Sequence, residues 1–126
     1  MPARKPEECD LLIAKAINDG DADAGAALYE ADAIYMLEPG KSIKGTAAIR
    51  EALSQFIATK PKLSIEVPIT LQNGDLAITI SHWTITSTDA GGKATTMSGR
   101  GTEVVRRQAD GSWKFTIDHP TAASCQ

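Results

Sequence analysis

The sequence is poor in the residues from which specialised sites are usually built. Its 126 residues include two cysteines and two histidines. Cys9 and Cys125 stand at opposite ends of the chain. Two such residues make no disulfide framework, and nothing has the spacing of metal ligands. A glycine-rich phosphate loop and a nucleophile elbow are both missing. So is a basic excess: 13 Lys and Arg against 16 Asp and Glu give a net charge of −3. Arg106 and Arg107 are adjacent, so a strand would send them to opposite faces rather than into one basic stripe. No run is long and apolar enough to span a membrane. Arg4 and Lys5 are followed by Glu7, Glu8 and Asp10 rather than by the apolar stretch of a signal peptide. These absences point to a reduced cytoplasmic protein with no cofactor, no metal, no nucleic-acid partner and no membrane partner.

What is present is the composition of a globular chain, 42% hydrophobic and 23% charged. A single domain over residues 1–126 is expected, burying about two-thirds of its unfolded surface. Pro6 opens a helix over residues 6–19, with Cys9, Leu12, Ile13, Ala16 and Ile17 on its apolar face. Its early acidic residues, Glu7, Glu8 and Asp10, suit the helix dipole, and Gly20 stops it. Asp21 caps a second helix over 22–30. Ala33 to Glu38 reads as a short strand. A third helix over 46–59, with Thr46 as its cap, buries Ile49, Leu53, Phe56 and Ile57.

Everything after Pro61 reads as strand. Leu63, Ile65, Val67, Ile69 and Leu71 alternate, and Pro68 among them implies an edge or a bulge. Asn73-Gly74 signals a hairpin. Strands over 76–88, 93–108 and 112–119 follow, separated by Asp89-Ala90-Gly91-Gly92 and Asp110-Gly111. Helices first and a meander afterwards is the layout of an α+β domain. Three N-terminal helices should pack on a strongly curved antiparallel sheet and leave a pocket. Gly99 and Gly101 would help the curvature.

Both histidines end apolar rows of alternating residues. Leu76, Ile78, Ile80 and His82 form one row; Trp113, Phe115, Ile117 and His119 form the other. Alternation sends each histidine to the face of its row, hence inward. A bulge in the last strand would instead turn Asp118 inward, and both arrangements stay open. Trp83 and Ile85 then take the outer face, where they would be a subunit contact in a homodimer.

The segments Asn18–Gly40, Ile43–Leu53 and Gly101–Pro120 together resemble the nuclear transport factor 2-like superfamily, in its SnoaL-like and ketosteroid isomerase-like branch. The carrying features are the helix, Gly-Asp, helix, Tyr, Asp-Ala, strand, Pro order, the IKGTAAIREAL helix start and the closing GTEVVRRQADGSWKFTIDHP hairpin. The resemblance implies a cone-shaped α+β barrel with a pocket, often a homodimer. It does not imply one activity, since the fold hosts dehydratases, isomerases, cyclases, hydrolases and binding modules. Ketosteroid isomerase pairs an aspartate base with a tyrosine and a protonated aspartate. By position, Glu38 lies near the base's slot and Glu103 in that of the protonated acid. Ile13 takes the place of the tyrosine. Scytalone dehydratase uses two histidines and an aspartate, roles that His82, His119 and Asp118 would fill.

The expected catalytic set is therefore His82, Glu103 and one or both of Asp118 and His119. Glu103 sits mid-strand, and an inward side chain there would be a desolvated acid; an outward one would be a surface glutamate. Tyr35, Met36, Glu38 and Arg100 are candidates for contacting a small apolar molecule. Two functions compete: an acid–base enzyme of dehydratase, isomerase or cyclase type that needs no cofactor, and a non-catalytic ligand-binding or dimerisation module.

Overall fold

The computed structural model describes residues 2–121; Cys125 lies outside them. Nine elements follow in order. Helix α1 (Glu8–Asn18) has Glu8 and Asp10 in its first turn and buries Cys9, Ile13, Ala14, Ala16 and Ile17. Gly20, at φ 74°, ends that region in a conformation that favours glycine. Asp21 caps the short α2 (Ala22–Ala26) by accepting the Ala24 N–H at 2.9 Å. This helix stops four residues before the predicted end. The strand β1 (Tyr29–Glu38) starts there instead, because Phe115 N–H bonds to the Leu28 carbonyl at 2.8 Å and draws the chain into the sheet.

A hairpin through Pro39-Gly40 leads to β2 (Lys41–Lys44), a short strand that the sequence pattern did not reveal. Helix α3 (Thr46–Ala58) follows. Its cap is Gly45, at φ 97°, rather than Thr46, whose hydroxyl leans back towards the Glu30 carbonyl. The remaining strands are β3 (Lys62–Asn73), β4 (Leu76–Thr88), β5 (Ala94–Arg107) and β6 (Trp113–His119).

The six strands form one sheet in the order β2-β1-β6-β5-β4-β3, curled but not closed. Four of the five neighbouring pairs are antiparallel, and β1 runs parallel to β6. The sheet is therefore mixed. The parallel pair arises because α3 carries the chain to the far edge, and the meander β3 to β6 then returns to lie beside β1. Pro68 lies both on an edge strand and in a bulge, since β3 shifts register against β4 between Glu66 and Ile69. The helices cover the concave face. Phe115, Ile49, Leu53, Val105, Cys9 and Trp113 are buried between the layers. Each large side chain of this kind contributes about 1.5–3 kcal/mol by leaving water. No helix among the described residues is long and apolar enough to cross a membrane.

The faces of β4 are the reverse of those predicted. Ala77, Thr79 and Ser81 are buried, and Trp83 and Ile85 continue that inward row. Leu76 and Ile78 are exposed on the convex side, with His82. The expected placement of Trp83 and Ile85 on an outer subunit contact is thus overturned. The aliphatic row misleads because it marks the outer face. Ile34, Ile117, Val104, Ile78 and Leu71 are register partners across five strands. The inner face at Thr79 and Ser81 is polar because both hydroxyls bond to a buried glutamate.

Candidate functional site

One residue along from that apolar row lies its inner counterpart. Tyr35 on β1 is paired with Asp118 on β6, Asp118 with Glu103 on β5, and Glu103 with Thr79 on β4. Four strands thus set one phenol, two carboxyls and one hydroxyl in a line on the concave face. Asp118 reaches this face because β6 bulges at Thr116: Val105 pairs with Phe115, and Val104 with Ile117. The bulge flips parity, so Phe115 and Asp118 are both buried while Ile117 is exposed.

Asp10 on α1 closes the group from above. It is buried, and it stands within hydrogen-bond reach of Glu103 and Thr79. Two carboxyls can be joined only through a proton, and that proton sits on Glu103. Burial, the bond to Asp10 and the charges of Asp10 and Asp118 push Glu103 up to about 11. The hydroxyls of Thr79 and Ser81 donate to its two oxygens at 3.0 and 2.9 Å. Asp10 is also raised by burial, an effect opposed by the bond from Glu103 and by the nearby Thr79 hydroxyl. Its Oδ2 has no hydrogen-bond partner.

Asp118 is tuned differently. Burial raises it to about 7, the Tyr29 hydroxyl donating to Oδ2 at 2.7 Å lowers it, and the Asp10 charge adds to the rise. Tyr29 itself is held well above its usual range by burial and by Asp118. Its ring packs on Phe115 and Tyr35, with centroids 4.8 and 6.1 Å apart.

These groups form the floor of a cavity of about 310 Å³ between the helices and the sheet. Its walls are Ile13, Ile17, Leu53, Phe56, Leu63, Ile65 and Trp83, with Leu37, Ile85 and Met97 towards the opening. Trp83 is fixed by its indole N–H donating to the Pro120 carbonyl at 2.7 Å. A Cβ at Gly99 would collide with that indole, and one at Gly101 would stand 2.6 Å from Glu103 Oε2. These glycines therefore make room for side chains. Two larger grooves, about 660 and 550 Å³, open around the end of α1, and the charged side chains lining them are exposed apart from half-buried Lys114.

Of the residues selected from sequence, the structure brings Glu103, Asp118 and Tyr35 to the cavity. It does not bring His82, which is exposed on the convex face beside Arg100 and Glu66 in register. His119 also turns away, since the bulge that admits Asp118 reverses it; it is half-buried, and its Nδ1 has no partner. Glu38 is exposed at the end of β1, Met36 shares the parity of Ile34, and Arg100 is exposed; none of the three lines the cavity. The sequence reading missed Asp10, taken only as a dipole charge, and Tyr29, placed in the tail of a helix. The spacing of Asp10 to Ile13 and Ile17 was the available signal for an inward carboxyl.

A family model described as a SnoaL-like domain matches residues 12–116. No curated protein matches the chain. Among solved structures, a ketosteroid isomerase-like protein from Erwinia carotovora atroseptica is 25% identical, with TM-score 0.76, over 89% of this chain and 88% of that one. A nuclear transport factor 2-like superfamily protein from Salmonella enterica is 18% identical, with TM-score 0.77, over 94% and 89%. A conserved protein from Planctomyces limnophilus is 20% identical, with TM-score 0.79, over 89% and 88%.

Proposed function

The chain belongs to the SnoaL-like family, within which isomerases and dehydratases occur, and from that premise we propose that it is an enzyme moving protons on a small, largely apolar molecule. The observation that carries this reading is the split between two buried carboxyls in one apolar-walled cavity. Glu103 is pushed up to about 11 and keeps its proton, whereas Asp118, at about 7, exchanges one near neutrality. Carboxyls whose environments separate their affinities for protons divide the acid and base roles. Asp118 as carboxylate takes a proton from a carbon beside a polarised double bond. The C–H electron pair forms a new C=C bond as the π pair of the polarised bond moves onto its oxygen; when that oxygen pair re-forms the original double bond, Asp118 returns the proton to a carbon. Protonated Glu103 and the Tyr35 hydroxyl orient the polar end of the substrate. The chemistry runs on protein side chains alone and needs no cofactor.

Cyclohexanone in D₂O, followed by proton NMR, tests this. Deuterium should enter its α-positions faster with protein than in buffer. Asp118→Asn should remove about 10²-fold or more of that acceleration, the size typical of a positioned acid–base group. Exchange no faster than in buffer, or unaffected by the substitution, favours the non-catalytic binding reading.

We further infer a homodimer, through the convex face rather than through Trp83 and Ile85. Support comes from the row Ile34, Ile117, Val104, Ile78 and Leu71, in which Leu71 is 64% and Ile117 44% exposed. A continuous apolar row of that length on a sheet is costly in water.

A further inference from the structure

We propose that Trp83 sets the size of what the cavity accepts, restricting it to molecules with one ring or a short chain. The inference rests on the reading of this cavity as a ligand site and adds the size class of the ligand. On the concave face β4 presents Thr79, Ser81, Trp83 and Ile85 in turn. Their register partners on β5 are Glu103, Gly101, Gly99 and Met97. The row of Asp118, Glu103 and Thr79 therefore lies four residues from the Trp83–Gly99 row, about 13 Å along the strand.

The indole shortens that distance because it crosses from β4 onto β5. A Cβ at Gly99 would collide with its Cζ2 and stand 2.9 and 3.0 Å from Cε2 and Cη2, so the ring overlies the glycine. Its N–H donates to the Pro120 carbonyl at 2.7 Å. That carbonyl overlies Gly101, 2.8 Å from where a Cβ would be. Indole and carbonyl together form a bar across the β5 side of the cavity, between the acids and Met97. On the β3 side the register partner of Trp83 is Ile65, which also lines the cavity. The bar is stiff, because turning the ring aside gives up the bond to Pro120. The space left, about 310 Å³, is at the small end of ligand cavities. A ligand with its polar end at the acid row has room for one ring beside Ser81. A body that extends further along the strands meets the indole.

Two ketones test this: cyclohexanone, and 4-phenylcyclohexanone, which keeps the carbonyl and its α-carbons and adds a ring at the far end. Their binding to the wild type, Trp83→Ala and Trp83→Phe is measured by ligand-observed NMR titration. In an open apolar cavity the added phenyl would tighten binding about tenfold or more. The wild type should instead bind 4-phenylcyclohexanone no tighter than cyclohexanone. Trp83→Ala should bind the larger ketone about tenfold tighter than the wild type does, with cyclohexanone changed by less than about threefold. Trp83→Phe, smaller and without the N–H, should move the preference the same way and serves if the alanine variant does not fold. A merely structural role for the indole would lower stability and leave the preference alone. Tighter binding of the larger ketone by the wild type overturns the inference, as does a folded variant that gains nothing for it. Failure of cyclohexanone to bind even at high millimolar concentration overturns it too. Deuterium exchange without size discrimination removes the size inference and leaves the proton chemistry standing; size discrimination in binding without exchange does the reverse.

Discussion

Gly101 and Glu103 point to the same face of β5, and a Cβ on Gly101 would stand 2.6 Å from Glu103 Oε2. The same Cβ would lie 2.8 Å from the Pro120 carbonyl and 2.9 Å from Ser81 Oγ. The glutamate is thus seated in space that only glycine leaves. Gly101→Ala should destabilise the fold by about 1–3 kcal/mol, the usual cost of overpacking. It should also break the Ser81 bond to Glu103. Chemical denaturation measures the first effect and carboxyl NMR of Glu103 the second.

Tyr29 holds Asp118 down. Tyr29→Phe removes the donor to Oδ2 and leaves the desolvation in place. The Asp118 carboxyl should then titrate higher than in the wild type, and the proton exchange proposed for it should shift to higher pH by the same interval. Carbon-detected titration of the aspartate carboxyls reads this directly. An unchanged titration would mean that the phenol does not act on the carboxylate.

The buried carboxyls make stability fall as pH rises. Both Asp118 and Glu103 have folded-state values raised above the ordinary carboxyl range near 4. Below that range they are protonated in folded and unfolded chains alike, and stability is fully present. Above it the unfolded chain ionises first, so each group costs ~1.4 kcal/mol per pH unit until its folded value is reached. The loss from Asp118 ends near pH 7, and the loss from Glu103 continues towards about 11. Thermal melts should therefore give a lower midpoint at pH 8 than at pH 5.5, and Glu103→Gln should narrow that gap.

A charge on the convex face should separate the dimer proposed above. Ile78→Glu places a carboxylate in the middle of the apolar row, at a position already 41% exposed, so the protomer's own core is spared. Sedimentation should show a dimer for the wild type and a monomer for the variant, with the circular dichroism spectrum unchanged. A wild type that stays monomeric at all concentrations removes the proposal.

The helices and the meander were legible because their signals are local. Asp21 caps α2 through its own side chain, and Asn73-Gly74 closes the hairpin between β3 and β4. The faces were not legible in β4, because both of its rows carry apolar residues, and only the partner strands decide which row is inside. Leu76 and Ile78 look like core and lie on the surface, whereas Thr79 and Ser81 look like surface and are buried. In β6 the turning point is the bulge at Thr116, a feature of pairing with β5 that leaves no mark in β6 itself. Glu103 and Asp118 could be singled out as acids in strands. Asp10 and Tyr29 join them only because residues far apart in sequence are brought together, Tyr29 meeting Asp118 across 89 positions.

The parallel pairing of β1 with β6 has a consequence for how the protein comes into being. Tyr29 and Tyr35 are register partners of Phe115 and Asp118, and Ala3 bridges to Trp113. The floor of the cavity is therefore stitched from the first and last thirds of the chain. Such long-range closure carries a high contact order and a slow final step. A nascent chain leaving the ribosome can form α1, the hairpins and much of the convex face before β6 emerges. Until then Asp10 and Glu103 lack Asp118 and Tyr29 lacks its acceptor, and the three acids come together only once β6 has been made.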